Sequence, residues 1–459
     1  MTSSNYWTLK NIRAALPNAK LYNFSDNFEP ASGVRVTYVK FDNDCIALVR
    51  LPNEQKGIPV QHLDKITPRA FITTDAKALE KYNCPVIEVE NPYKAVFAMA
   101  RYKRSKYAGK VIDITGSAGK STTTKMCYTA LEKYNAEANL NQANTNFGIA
   151  WNMTNYRQDA KCWLNETSLG GGMTFNSLLT MPNIAVITNL APVHLKPTQP
   201  FKNVAVEKAK IFDYIKPDGV AILYKEMDFF DYVYEAASKK NCRIITFGES
   251  DDADIKIDDT NNITVFGKKY HFSEKPVPTH ILLDAAIVSA ILYVMELPID
   301  YESLKNFKAL SGRGEVISGK FNGDKYITIV DESFNANPLS MKFSLKSFNK
   351  LYGDRENKIL ILGDMAEGGT ETEKQHFDMI EYIKQINPEK IILVGEIMSK
   401  LASELENAVV FNDVEQLNQK LPNLINDNCT ILIKASHSIE LYKTVNYIKK
   451  NLHLRCDSD

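Results

Sequence analysis

The chain has 459 residues, enough for two or three domains at roughly 150 residues each. Hydrophobic residues make up 44% and charged residues 24%, the balance of an ordinary globular protein with well-filled cores. Lysine plus arginine (55) equals aspartate plus glutamate (55), so zero net charge argues against a chain built to hold nucleic acid or an anionic membrane. The opening run MTSSNYWTLKNIRAALPNAK has no apolar core and does not read as a secretory signal. The most apolar long stretch, Ile281 to Met295, carries Asp284 and is too short to span a bilayer, so no membrane span is expected. Cys45, Cys84, Cys127, Cys162, Cys242, Cys429 and Cys456 are scattered and never in CxxC spacing. That usage suits a reducing cytoplasm rather than a disulfide framework or a zinc ribbon.

Three α/β domains are expected: 1–106, 107–312 and 313–459. The first mixes strand-like runs (CIALVRL, AFITT, PVIEV) with short helices and ends on a helical stretch with basic Lys103, Arg104 and Lys106. The second opens on VIDIT, a buried parallel type of strand, and alternates further strands (KCWLNET, IAVITNL) with helices. After Gly219 come shorter β-like pieces and then a helix from His280 to Met295. In the third, YITIVDE, KILILGD, KIILVGE and TILIKAS are each followed by helical spacing. Strands separated by helices imply parallel sheets.

VIDIT runs into Gly116-Ser117-Ala118-Gly119-Lys120-Ser121-Thr122 and then a helix. Glycines let backbone N–H groups close around phosphate oxygens, and the helix N-terminus adds partial positive charge. Lys120 would reach the terminal phosphates and the Ser121 hydroxyl would ligate Mg²⁺. Ile114 replaces the first glycine of the full phosphate-loop pattern.

With its downstream segments, this loop resembles that of the Mur ligase family, whose loops lack the same glycine. The segments are Asn144-Thr-Asn146-Phe-Gly148, Asn189-Leu-Ala-Pro-Val-His194-Leu195, Val204-Ala205 through Lys208 to Phe212, Asp331-Glu-Ser-Phe-Asn335-Ala-Asn337-Pro338, Leu362-Gly-Asp364-Met365 with His376, and Ile433-Lys434-Ala-Ser436. They are most similar to the branch of the family that adds D-alanyl-D-alanine to UDP-N-acetylmuramoyl-tripeptide in cell-wall peptidoglycan synthesis. The resemblance implies a substrate-binding first domain, a central P-loop ATPase domain and a Rossmann-like third domain. It implies ATP-dependent amide bond formation through an acyl phosphate, joining a small-molecule carboxylate to an amino acid or dipeptide amine.

The resemblance also assigns roles. Glu166, His194 and Ser121 would bind Mg²⁺, of which two ions are expected. Lys208 would be carbamylated and help hold the second, with Lys210 as the competing lysine. Arg313 would contact ATP phosphate as a bidentate fork. Asp331, Asn335 and Asn337 would bond the nucleotide, and Asp284 would sit where the family presents Asn to the adenine edge; ionised, Asp is an acceptor only. Asn144, Asn146, Lys434 and Ser436 would face the substrates. A cytoplasmic monomer or weak homo-oligomer is expected.

The first domain departs from the family. Val34-Arg35-Val36-Thr37 lacks the Asp-Ser-Arg order, and Ile46 to Pro52 with Lys56-Gly57 only faintly resembles the Asp-Gly-His segment. A different carboxylate handle is therefore expected, which leaves a ligase for a non-peptidoglycan acid as the alternative. A non-catalytic nucleotide-binding relative is the other, but such a protein has no use for a second metal site.

Overall fold

The computed structural model describes residues 5–52, 54–141, 143–192, 200–274, 277–304, 307, 310–366 and 371–453. Three sheets follow one another along the chain, each flanked by helices, and the fold is α/β throughout.

In the first sheet the strands Ile46–Arg50, Ala70–Thr73 and Val86–Glu88 run parallel, and Lys20–Tyr22 closes one edge antiparallel to Val86–Glu88. The helix Pro92–Lys106 follows, started by the Asn91 side chain accepting from Lys94 N–H and by Pro92 at its first turn. This helix packs against the helix Asn146–Asn155, so Val96 and Met99 share one core with Phe147, Met153 and Trp163. The core of the first sheet therefore continues into the central one.

The central sheet places the strand Lys110–Thr115 between Cys162–Glu166 and Ile184–Ile187, all parallel, with Val220–Tyr224 and Arg243–Gly248 beyond. Ile112, Ile114, Val186, Ile187, Ile222 and Leu223 are fully buried, as parallel strands covered on both faces require. The helix Thr279–Val294 is apolar all round because it is buried against the helix Lys120–Leu131 and these strands.

The third sheet is parallel through Ala408–Phe411, Lys390–Val394, Lys358–Gly363, Cys429–Lys434 and Lys325–Glu332. The expectation of parallel sheets thus holds in the interiors and fails at the edges. Asn262–Val265 and Lys268–His271 form an antiparallel hairpin, and so do Glu315–Phe321 and Lys325–Glu332. The reason is local: Phe266 and Gly267 both have positive φ (44° and 84°), which joins two strands by the tightest turn and leaves no length for a crossover helix.

Asp113 lies inside the strand that carries the phosphate loop and is fully buried. It accepts from Asn165 Nδ2 at 2.9 Å and from Thr180 Oγ1 at 2.5 Å. Burial pushes its carboxyl up to about 6, against a usual value near 3.8. The native state then holds the proton more tightly than the unfolded chain, so this group costs stability as pH rises from about 4 to about 6, with no further change above. Asp113→Asn is expected to remove that loss. Its stability relative to the parent should improve by about 2–3 kcal/mol between pH 4 and pH 7 in urea titrations; parallel pH curves for the two proteins would refute this.

Candidate functional site

The strand Lys110–Thr115 hands the chain to Gly116, and the helix Lys120–Leu131 starts immediately after Gly119. Gly119 caps that helix at φ +80°, a left-handed conformation that glycine takes without Cβ strain. At Gly116 the constraint is space, since a Cβ there would lie 1.9 Å from Thr188 Oγ1. The loop is zipped to the end of the neighbouring strand. Ser117 N–H donates to the Asn189 carbonyl (3.1 Å), Ala118 N–H to Asn189 Oδ1 (2.8 Å), and the Thr188 hydroxyl to the Ala118 carbonyl (2.7 Å).

Two lysines converge on one backbone oxygen. Lys120 Nζ and Lys208 Nζ each donate to the Gly116 carbonyl at 2.8 Å. Lys208, on the helix Lys202–Ala209, is 2% exposed, and burial followed by the nearby Lys120 charge holds it well below the usual lysine range. Lys210 instead pairs with Glu207 at the surface, so Lys208 is the lysine that meets the loop.

Beside the loop the Ser121 hydroxyl donates to Glu166 Oε2 at 2.7 Å, and Asn144 Nδ2 donates to Glu166 Oε1 at 2.8 Å. Glu166 ends the strand Cys162–Glu166 and is buried. A hydroxyl and a carboxylate side by side at a phosphate loop are hard oxygen donors of the kind Mg²⁺ takes together with phosphate oxygens and water. Among the described residues no three His, Cys, Asp or Glu side chains come together as a closed metal site. His194 lies outside the described residues.

These groups open onto a cavity of about 380 Å³ between the central and third domains. Arg313 lines it with its guanidinium 4.0 Å from the centre of the Phe334 ring, and Glu166 counters the downward push of burial on it. Asn335 and Asn337 also line the cavity. Asn337 caps the helix Pro338–Tyr352 in a reciprocal box with Ser340, and its Nδ2 reaches the Ser117 carbonyl at 3.5 Å across the domain boundary.

Asp284 lines the cavity and accepts from Thr123 Oγ1 at 2.5 Å. Burial pushes it up to about 7. Desolvation favours the neutral carboxyl, which both donates and accepts, over the ionised one, which only accepts.

Other expected residues have partners within the protein. Asp331 does not line the cavity; its oxygens accept from Gly312 N–H (2.9 Å) and from the Ser333 hydroxyl (2.7 Å), bracing the entry to the third domain. Asn146 donates to the Gly171 carbonyl, and Ser436 shares a hydrogen bond with Ser438. Lys434 does line the cavity, yet Glu332 pairs with it at 3.0 Å. Sequence reasoning missed Glu332, His280, Thr123 and Asn189. For Glu332 a signal existed, since strand neighbours face opposite ways and Asp331 and Glu332 are adjacent.

Comparison with known proteins identifies the family of the chain. Residues 114–284 match the family model described as Mur ligase middle domain, and residues 312–437 match Mur ligase, glutamate ligase domain. The UDP-N-acetylmuramoyl-tripeptide--D-alanyl-D-alanine ligase of Rickettsia prowazekii is 25% identical over 379 residues, 79% of this chain and 83% of that protein. The structure of MurF from Acinetobacter baumannii superposes with a TM-score of 0.79 at 19% identity, covering 96% of this chain and 99% of that one. That of MurF ligase from Thermotoga maritima in complex with ADP gives 0.75 at 17% identity, covering 91% and 97%.

The tight fit at Gly116 yields a test. Gly116→Ala is expected to push Thr188 aside and weaken binding of a fluorescent ATP analogue by at least roughly tenfold, about 1.4 kcal/mol. Unchanged affinity in a folded variant would remove the loop from the binding site.

Proposed function

The chain belongs to the Mur ligase family, and from that premise we propose that it joins D-alanyl-D-alanine to UDP-N-acetylmuramoyl-tripeptide at the expense of ATP. The observation that carries this reading is the convergence of the phosphate loop, the Ser121–Glu166 pair and Arg313 on one cavity between two domains. A carboxylate oxygen of the acid attacks the terminal phosphorus of ATP, the bond to ADP breaks, and an acyl phosphate results. The amine nitrogen then attacks the acyl carbon, and phosphate and one proton leave as the amide forms.

Such chemistry needs positioning and charge neutralisation more than a protein nucleophile. Lys120 is released from the Gly116 carbonyl to the transferring phosphate, and Arg313, 4.0 Å from the centre of the Phe334 ring, offers its fork to the same oxygens. When bound, Mg²⁺ supplies further neutralisation; Ser121 and Glu166 would hold one ion, His194 and a modified Lys208 a second. The environment of Lys208 favours that modification. A buried amine kept neutral by desolvation is the form that adds CO₂, losing one proton to become a carbamate anion. As an ammonium it would face Lys120 with like charge.

The departures in the first domain favour a different handle on the acid. The name carried by the Rickettsia relative, matched along most of this chain, favours the UDP-linked tripeptide, and that is the reading adopted. No helix among the described residues is long and apolar enough to cross a membrane, and we place the reaction in the cytoplasm, where UDP-linked precursors would be met.

The deciding assay supplies ATP, Mg²⁺, D-alanyl-D-alanine and UDP-N-acetylmuramoyl-tripeptide and follows ADP release. Turnover with kcat/KM of about 10⁴ M⁻¹s⁻¹ or above is expected; silence with intact ATP binding would reject the substrate assignment. Lys120→Ala should lower the rate by several orders of magnitude without unfolding the protein. Lys208→Ala should be nearly inactive and partly restored by short-chain carboxylates, and a near-parental rate would overturn the carbamate.

A further inference from the structure

Two asparagines continue the central sheet where its strands run out. The edge strand Ala136–Ala138 pairs in parallel with Cys162–Glu166 and stops opposite Leu164, two residues short of Glu166. Glu166 is buried, and a buried backbone N–H or C=O needs a partner. Asn139, 1% exposed, supplies both. Its Oδ1 accepts from Glu166 N–H at 2.7 Å, and its Nδ2 donates to the Glu166 carbonyl at 3.0 Å. The same Nδ2 reaches the Ala143 carbonyl at 3.4 Å, next to Asn144, which donates to the Glu166 carboxylate.

On the other side, the strand Ile184–Ile187 ends opposite Thr115, where the strand Lys110–Thr115 leaves the sheet as the phosphate loop. Asn189 follows the loop outward. Its carbonyl accepts from Ser117 N–H at 3.1 Å, its Oδ1 accepts from Ala118 N–H at 2.8 Å, and its Nδ2 donates to the Ala118 carbonyl at 3.0 Å.

A carboxamide carries the donor and the acceptor of a peptide group in one plane. Each side chain therefore closes the two-bond ring of a β-ladder where no strand is left to provide it. Turning either amide over would set Nδ2 against an N–H, so the pairing fixes its orientation. Asn139 acts from the outer edge of Cys162–Glu166 and Asn189 from the end of Ile184–Ile187, and the two rings share no hydrogen-bonded group.

We propose that Asn139 and Asn189 are positioning residues of the ligase reaction, Asn139 setting the Glu166 carboxylate for Mg²⁺ and Asn189 setting the loop backbone for phosphate, each independently of the other. The inference rests on the assignment of the loop to ATP phosphate and of Ser121 with Glu166 to Mg²⁺, and adds what holds those groups in place. Strand ends are where a sheet frays, whereas a working site tolerates displacements of only about 0.5 Å. The two rings meet that demand at the two strand ends that carry the site.

The test separates the two halves on the full chain, Asn139→Ala and Asn189→Ala, with thermal melts to show folding. A fluorescent ATP analogue in EDTA reads the loop without metal. Mn²⁺, standing in for Mg²⁺ on hard oxygen donors, is titrated into the protein–ADP complex and counted by electron paramagnetic resonance. Asn189→Ala should weaken the metal-free nucleotide roughly tenfold or more and leave Mn²⁺ affinity of the ADP complex within about twofold. Asn139→Ala should do the reverse. Asn139→Ser and Asn189→Ser, whose hydroxyl donates and accepts through water, take their place if an alanine variant does not fold. Equal losses of both affinities in both variants would mark a merely structural role, and unmoved constants in a folded variant would mark none. Either result overturns the proposal, as does failure of both substitutions at one position to fold. A parent that binds no nucleotide would instead overturn the ATP assignment, and one that binds ADP without Mn²⁺ the Ser121–Glu166 assignment.

Discussion

The Gly116 carbonyl is the hub of the central domain. It accepts from Lys120 and from Lys208, and thereby draws two basic groups to the point where the parallel strand ends and the phosphate loop begins. Two like charges that close in a desolvated place repel strongly, so the arrangement persists only if one lysine gives up its proton or anions arrive. Burial, and after it the Lys120 charge, push Lys208 well below the usual lysine range. Much of the site follows from this: Glu166 held by neutral donors beside Ser121, and Arg313 as the next cation across the cavity.

The cavity lies where two domains meet, with Phe343 of the third packed against the central core. Asp331 binds Gly312 N–H where the chain enters the third domain, Asn337 reaches the Ser117 carbonyl, and Lys350 pairs with Asp259 at the rim. The last is exposed on its acidic side and contributes little. The first domain is joined differently, through a continuous apolar core that includes Trp7, Met99, Phe147 and Trp163.

The legible parts of the site were those encoded by neighbours in the chain. The loop from Gly116 to Thr122 and the apolar strands on either side depend on local geometry, and they stand where the sequence reading puts them. The illegible parts were pairings across the chain. Asn189 grips Ala118 from 71 residues away, and Thr123 meets Asp284 across 161. Asp331 and Glu332 show the difference within a single strand. Alternation makes them face opposite ways, but only the packed neighbours reveal that Asp331 serves the domain entry while Glu332 faces the cavity.

By itself the sequence determined the strand–loop–helix that receives phosphate, the α/β succession of three sheets and the family. Glycine placement and hydrophobic periodicity are local and decide the strand–loop–helix and the α/β succession, while the family shows in the ordered match of segments along the chain. Only the tertiary structure decided which lysine meets the loop, which carboxyls burial pushes upward, and which of Asp331 and Glu332 lines the cavity. Those properties depend on desolvation and on partners distant in the chain, and neither exists until the domains have packed.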